Sequence, residues 1–185
     1  ENHKKTIWIG GTLDDAAGEA FDKIGRLLNL PYPGGPAIEN SSERGDASRF
    51  TFPSPMIYSK DFNFSFSGLK AAVFREVKTI KQFNNKIISD IAASVQQAIV
   101  DVLVRKTIKA AKKYNVKSIL LGGGVASNQK LREYLELEIA CPPRRGNCLP
   151  TEEGKLEIKL FSPEKSLCTD NAAMIGAYAT FNYKP

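Results

Sequence analysis

The sequence predicts an α/β fold, a mixed sheet with helices packed on it. Two observations carry that reading. From residue 87 onward, apolar residues recur by turns at helical spacing and in short strand-like runs, the alternation that builds helix-covered sheets. In addition, three junctions (Gly10-Gly11, Gly122–Asn128 and Cys168–Asn171) each follow an apolar run and open a helix. Ligands of open α/β sheets collect at such strand ends. Three of them in one short chain point to a nucleotide-type site rather than to turns alone.

The first strand is expected over Lys4–Gly11, where Ile7 and Ile9 alternate with outward positions. Thr12 and Asp15 then form a variant capping box. They predict a helix with one apolar face: Ala16, Ala17, Ala20, Phe21, Ile24, Leu27 and Leu28. Asp14 and Asp15 suit its first turn through the helix dipole, which is explanation enough for both. Asp15, Glu19 and Asp22 share a face, with Lys23 placed on another. Asp22 lies beyond the dipole's reach, so this acidic face is either solvated or ligand-binding.

The helix should stop before Pro31, with Tyr32–Pro36 a stiff loop rich in turn residues. Residues Glu39–Ser48 read as polar and irregular, and Arg49–Met56 as an edge strand or extended loop. Phe62, Phe64 and Phe66 alternate as a half-buried strand over Asp61–Phe66. Gly68–Lys78 follows as a helix with Leu69, Ala72, Val73 and Val77 inward. The longest helical pattern is Ile87–Lys113, whose lysines cluster at the C-terminal end, where cations suit the dipole.

Ile119–Leu121 is the expected buried strand, followed by Gly122, Gly123 and Gly124. Glycines allow positive φ and close approach of a ligand, yet they equally make a plain tight turn. Ser127 or Asn128 can cap the next helix, whose first amides suit an anionic or polar group. That helix runs to Ile139, and Ala140–Gly154 reads as a surface insertion. Leu156–Phe161 alternates as a strand, and Thr169-Asp170 opens a last helix.

Composition sets the bounds. At 185 residues with 42% hydrophobic and 25% charged, the chain can bury a core without staples. Three cysteines argue against a secreted disulfide framework, and Cys141 and Cys148 are too few for a four-ligand zinc site. No signal-peptide core or uninterrupted membrane-length apolar run is seen, so an intracellular, cytoplasmic protein without a membrane partner is expected. The net charge of +6 is compatible with a polyanionic partner and equally with solvated helix faces.

Five words occur in order: TLDDAAGEAFDK (Thr12–Lys23), LPYPGGP (Leu30–Pro36), FSFSGLK (Phe64–Lys70), GGGVASN (Gly122–Asn128) and CTDNAAMIG (Cys168–Gly176). Together they resemble the tRNA adenosine threonylcarbamoyltransferase family, formerly labelled O-sialoglycoprotein endopeptidases, nearly end to end. The resemblance implies a lobe of the two-lobed actin-like ATPase (ribonuclease H-like) fold. It implies transfer of threonylcarbamoyl from threonylcarbamoyl-adenylate to the adenosine beside the anticodon. Partners would be tRNA, the adenylate or ATP, and other subunits of the transfer complex. Carried over by motif, Asp22, Gly35 and Asn128 contact the adenylate, Glu39 stands where an acid can hold the nucleotide, and Asp170 ligates one divalent metal, iron or zinc. No catalytic residue is assigned.

The family's first lobe, with an H-x-x-x-H metal motif and a Ser-Gly-Gly phosphate turn, has no counterpart here; the single histidine is His3. The expectation is therefore a single partial chain, residues 1–185, forming the second lobe, with a C-terminal helix near 170–183 packing towards the absent first. Alone it should be inactive. The alternative from another class is a non-catalytic family paralogue or fragment serving as a partner or scaffold of the modification complex.

Overall fold

The computed structural model describes residues 6–140 and 157–169, together with 172, 174 and 180. The chain divides into two compact units, residues 1–115 and 116–185.

The first unit is built on four helices: α1 (Ala17–Leu27), α2 (Gly34–Ser42), α3 (Ser67–Thr79) and α4 (Asn85–Lys113). Helix α2 packs on α1 and α4, α1 also packs on α3, and α3 touches α4. The apolar face read for α1 is confirmed at Ala20, Phe21, Ile24 and Leu28, all buried. Leu69 and Val73 of α3 are buried as expected. The 29-residue α4 is the core helix, with Ile91, Val95, Ile99, Val102 and Ile108 buried along its length. By length and composition alone α4 is apolar enough to span a bilayer, but 67% of its apolar window is buried inside the protein. The Asn84 side chain caps it by accepting the Ile87 N–H at 2.9 Å.

Three expectations for this unit are corrected. The strand over Lys4–Gly11 is not formed in its described part. Instead, Gly11 and Leu13 pair with Phe64 through Phe64 N–H to Gly11 O (2.9 Å) and Leu13 N–H to Phe64 O (2.8 Å). The strand over Asp61–Phe66 shrinks to the same bridge, Thr12 beside Phe64, although Phe62 and Phe66 are buried as the alternation required. The irregular passage from Glu39 begins inside α2, which also takes Gly34, Gly35 and Pro36 from the expected loop. Proline fits the first turn of a helix because its missing N–H has no intrahelical partner there.

The second unit has a parallel two-stranded sheet of β1 (Ser118–Leu120) and β2 (Lys159–Phe161), in register Ile119 to Leu160. Ile119 is buried, but Leu120 is 75% exposed, so β1 is a half-buried strand rather than the buried one expected. A 3₁₀ turn, Gly124–Ser127, leads into α5 (Gln129–Ala140), which buries Leu131, Leu135 and Ile139. Residues 141–156, which include the expected insertion and Leu156, lie outside the described residues, as does most of the helix expected after Thr169.

Candidate functional site

Asp22 lies in the middle of α1 with its side chain half-buried. Its Oδ1 accepts the Gly34 N–H at 2.7 Å. Pro33, at the N-cap of α2, supplies no side-chain cap, so the carboxylate of a neighbouring helix takes that role. The approach is close: a Cβ on Gly34 would sit 2.5 Å from Asp22 Cα and 2.5 Å from Phe21 O. Gly25 of α1 completes the contact, its Cβ position lying 3.0 Å from Gly34 Cα. Glycine at 34 is thus required by packing.

Gly35 differs. Nothing lies within 4 Å of its Cβ position, and its N–H, in the first turn of α2, has no partner among the described residues. Glu39, one turn further along α2, is half-buried on the same side as Gly35. Beside these groups opens a cleft of about 320 Å³, within the usual range for small-molecule sites, to which Asp22, Arg26, Tyr32 and Gly34 contribute. Gly35 and Glu39 are not part of its lining.

The acidic face of α1 is resolved by one cation. Lys23 Nζ reaches Asp15 at 2.6 Å and Glu19 at 2.7 Å, so Lys23 shares their face rather than standing on another. Asp22 meets no cation within 4.0 Å among the described residues. A negative acceptor therefore stands at a helix N-terminus with an open donor next to it. Such a pair can accept hydroxyl groups and donate to an oxyanion.

Asp14 does not serve α1, which starts only at Ala17. Its carboxylate accepts from Ser65 Oγ (2.6 Å), Phe66 N–H (2.8 Å), Ser67 N–H (3.3 Å) and Ser67 Oγ (2.7 Å), capping α3. Desolvation pushes this carboxyl up, but the Ser65 hydroxyl, the Phe66 amide and the two Ser67 groups outweigh it and hold it far below the usual carboxylate range. The TLDD and FSFSG words are thereby tied to each other.

In the second unit, Gly123 adopts φ +83°, and nothing lies within 4 Å of the Cβ positions of Gly122, Gly123 or Gly124. The turn is open on its glycine side. Of the two possible caps, Asn128 is the one used: its Oδ1 accepts the Leu131 N–H at 3.0 Å, and the residue is buried. Ser127 Oγ instead donates to Gly124 O at 2.7 Å. Arg132 is a residue that sequence reasoning missed. Its Nε donates to Ala126 O (2.6 Å), and its Nη2 to Pro163 O (2.8 Å) and Cys168 Sγ (3.1 Å). It ties the glycine turn to the segment that leads to Asp170.

Asp170 itself lies outside the described residues. Among the described residues, no group of three or more His, Cys, Asp and Glu side chains converges as a metal cage would require. These residues do not furnish the implied metal's site, and no step below is routed through it. Asp22, Gly34 and Gly35 are brought together in the first unit, while Asn128 belongs to the second.

A sequence model described as "tRNA N6-adenosine threonylcarbamoyltransferase" matches residues 1–177. Curated relatives carry the same name. One from Syntrophomonas wolfei is 44% identical over 182 residues, covering 98% of this chain and 50% of its own. One from Thermosipho africanus is 47% identical over 178 residues (95% and 49%), and one from Bacillus subtilis 46% over 177 (95% and 48%). The chain spans about half the length of the curated relatives it matches.

Proposed function

Because this chain belongs to the tRNA N6-adenosine threonylcarbamoyltransferase family, we propose that it is the adenylate-binding lobe of a tRNA threonylcarbamoyltransferase with an actin-like fold. The observation that carries the reading is the Asp22 carboxylate at the N-terminus of α2 beside the open Gly35 amide. Asp22 accepts bonds from the ribose hydroxyls of threonylcarbamoyl-adenylate. The Gly35 N–H donates to the nucleotide, with Glu39 one turn behind it; Asn128, in the second unit, is a candidate substrate contact by its motif alone. In the reaction, adenosine N6 of tRNA bonds to the carbamoyl carbon, the acyl–phosphate bond breaks, AMP leaves and N6 loses a proton. Asp170 is the chain's candidate ligand for an iron or zinc ion, the remaining ligands coming from the part of the relatives that this chain does not match. The tRNA substrate fits a cytoplasmic setting.

The test uses Asp22→Asn and Asp22→Ala with a non-hydrolysable adenylate analogue. Both remove the charge, but asparagine keeps an acceptor for the Gly34 N–H. Loss of charge-assisted bonds of roughly 1.5–3 kcal/mol lowers affinity about ten- to hundredfold in both variants. Alanine alone also costs about 1 kcal/mol of stability through the lost cap. Unchanged affinity in Asp22→Asn would return Asp22 to a purely structural role.

A further inference from the structure

Along the C-terminal half of α4, Arg105, Lys109, Lys112 and Lys113 fall at i, i+4, i+7 and i+8, one face of the helix. The sequence explains the three lysines as partners of the helix dipole, but not Arg105, two turns before the helix end. The structure adds aromatic rings. The Arg105 guanidinium stands 5.3 Å from the ring centre of Tyr58, which is 83% exposed. Lys113 Nζ lies 5.6 Å from the ring of Tyr114, itself half exposed, and 5.2 Å from that of Phe62.

This is a built platform rather than a row of free lysines. The loop from Tyr58 to Asn63 is fastened to α4 from beneath by Lys106, only 1% exposed, which donates to Ser59 Oγ at 2.7 Å and to Asn63 O. Lys109 donates to Ser59 O (2.6 Å) and Lys60 O (3.0 Å). None of Arg105, Lys109, Lys112 and Lys113 meets a carboxylate within 4.0 Å among the described residues. The acids nearest in sequence are engaged otherwise. Asp61 takes Ser59 Oγ and Lys106, and Asp101 takes Gln97 Nε2 at 2.6 Å.

We propose that this ridge of Tyr58, Lys60, Arg105, Lys112, Lys113 and Tyr114 docks a single-stranded loop of a structured RNA. The cations neutralise phosphates, and the exposed parts of the Tyr58 and Tyr114 rings, the latter packed against Phe62 on one side, stack unpaired bases. The inference rests on the tRNA-acting reading above and names where on this chain the polynucleotide lies. Duplex RNA or a simple polyanion would use the cations without the rings, so the tyrosines separate these cases.

The test is fluorescence anisotropy of a labelled RNA hairpin with an unpaired loop, titrated with the 185-residue chain at several salt concentrations. The triple variant Arg105→Gln, Lys112→Gln, Lys113→Gln should lower the slope of log K against log salt by about 2. Tyr58→Ser should weaken the hairpin roughly five- to 150-fold while leaving a blunt RNA duplex unchanged. Lys78→Gln with Lys81→Gln is the charge control. These residues precede α4, some 30 Å of helix from Arg105 at about 1.5 Å per residue, and should have little effect. Equal losses in the control and the ridge variants, no saturable hairpin binding by wild type, or a loss seen only with phosphatidylserine vesicles would each overturn the proposal. Failure of adenylate binding with hairpin results as expected would remove the cleft reading and leave this surface standing.

Discussion

Asp14 shows how much one side chain can hold together. Its four donors lie 51 to 53 residues away, all at the start of α3. Since its carboxyl titrates below its usual value in the folded chain, its contribution is present above about pH 4 and fades as pH falls through the native value. Asp14→Ala should therefore lower the urea midpoint at pH 7, and the gap from wild type should narrow as pH is lowered below 4. A gap independent of pH would mean the bonds do not depend on the charged form. Asp90 makes a parallel case inside the core. It is 1% exposed, accepts Lys86 Nζ at 2.6 Å and Asp46 N–H at 2.8 Å, and is held low mainly by the Lys86 bond. Asp90→Ala frees the loop after α2 and should cost about 1–3 kcal/mol in chemical denaturation.

Neither role was legible in the sequence, for a physical reason. Capping boxes and dipole preferences are local, whereas Asp14 and Asp90 bond to segments more than forty residues away in sequence. The Lys23 misreading is of a different kind. Residues 19 and 23 are one turn apart, so spacing alone placed the cation beside Glu19. The bond of Asp22 to the Gly34 N–H could not be foreseen from α1 alone.

At the scale of elements, helices α1, α3, α4 and α5 were readable because burial imposes a 3.6-residue period. Helix α2 was not. Its nine residues begin Gly-Gly-Pro, turn chemistry that here occupies a first turn where no N–H partner is needed. The strands were overread, since apolar alternation persists where only a single bridge forms. Adjacent glycines at the start of α2 give a sharp pair of expectations. Gly34→Ala forces a Cβ against the α1 backbone and should destabilise by about 1–3 kcal/mol, as overpacking does. Gly35→Ala meets open space and should leave stability unchanged or raise it by up to about 1 kcal/mol. Thermal melts of the two variants side by side decide this; equal losses would mean both glycines serve packing. In the second unit, Asn128→Ala removes a buried cap and should cost roughly 0.5–2 kcal/mol, read in the same way.

At the scale of the molecule, the family was legible from five ordered words, and the match over residues 1–177 bears it out. What those words do was only partly legible. FSFSG turns out to receive Asp14, and the segment before CTDN is held by Arg132, a residue outside every word. The chain spans about half the length of the curated relatives it matches. In a tRNA transfer assay, residues 1–185 alone should give no threonylcarbamoyl-adenosine above a protein-free blank; turnover by the chain itself would place the whole active site within it.

The central claim is that the junction of α1 and α2 receives the adenylate. Isothermal titration of AMP into wild type and Gly35→Ala, each first shown to melt alike, tests it most directly. A methyl group there would fill the open space beside the unpaired amide without disturbing the fold. The account requires saturable binding by wild type and at least about a tenfold loss in Gly35→Ala, a difference of about 1.4 kcal/mol. Equal affinity in the two proteins, with stability intact, would contradict it.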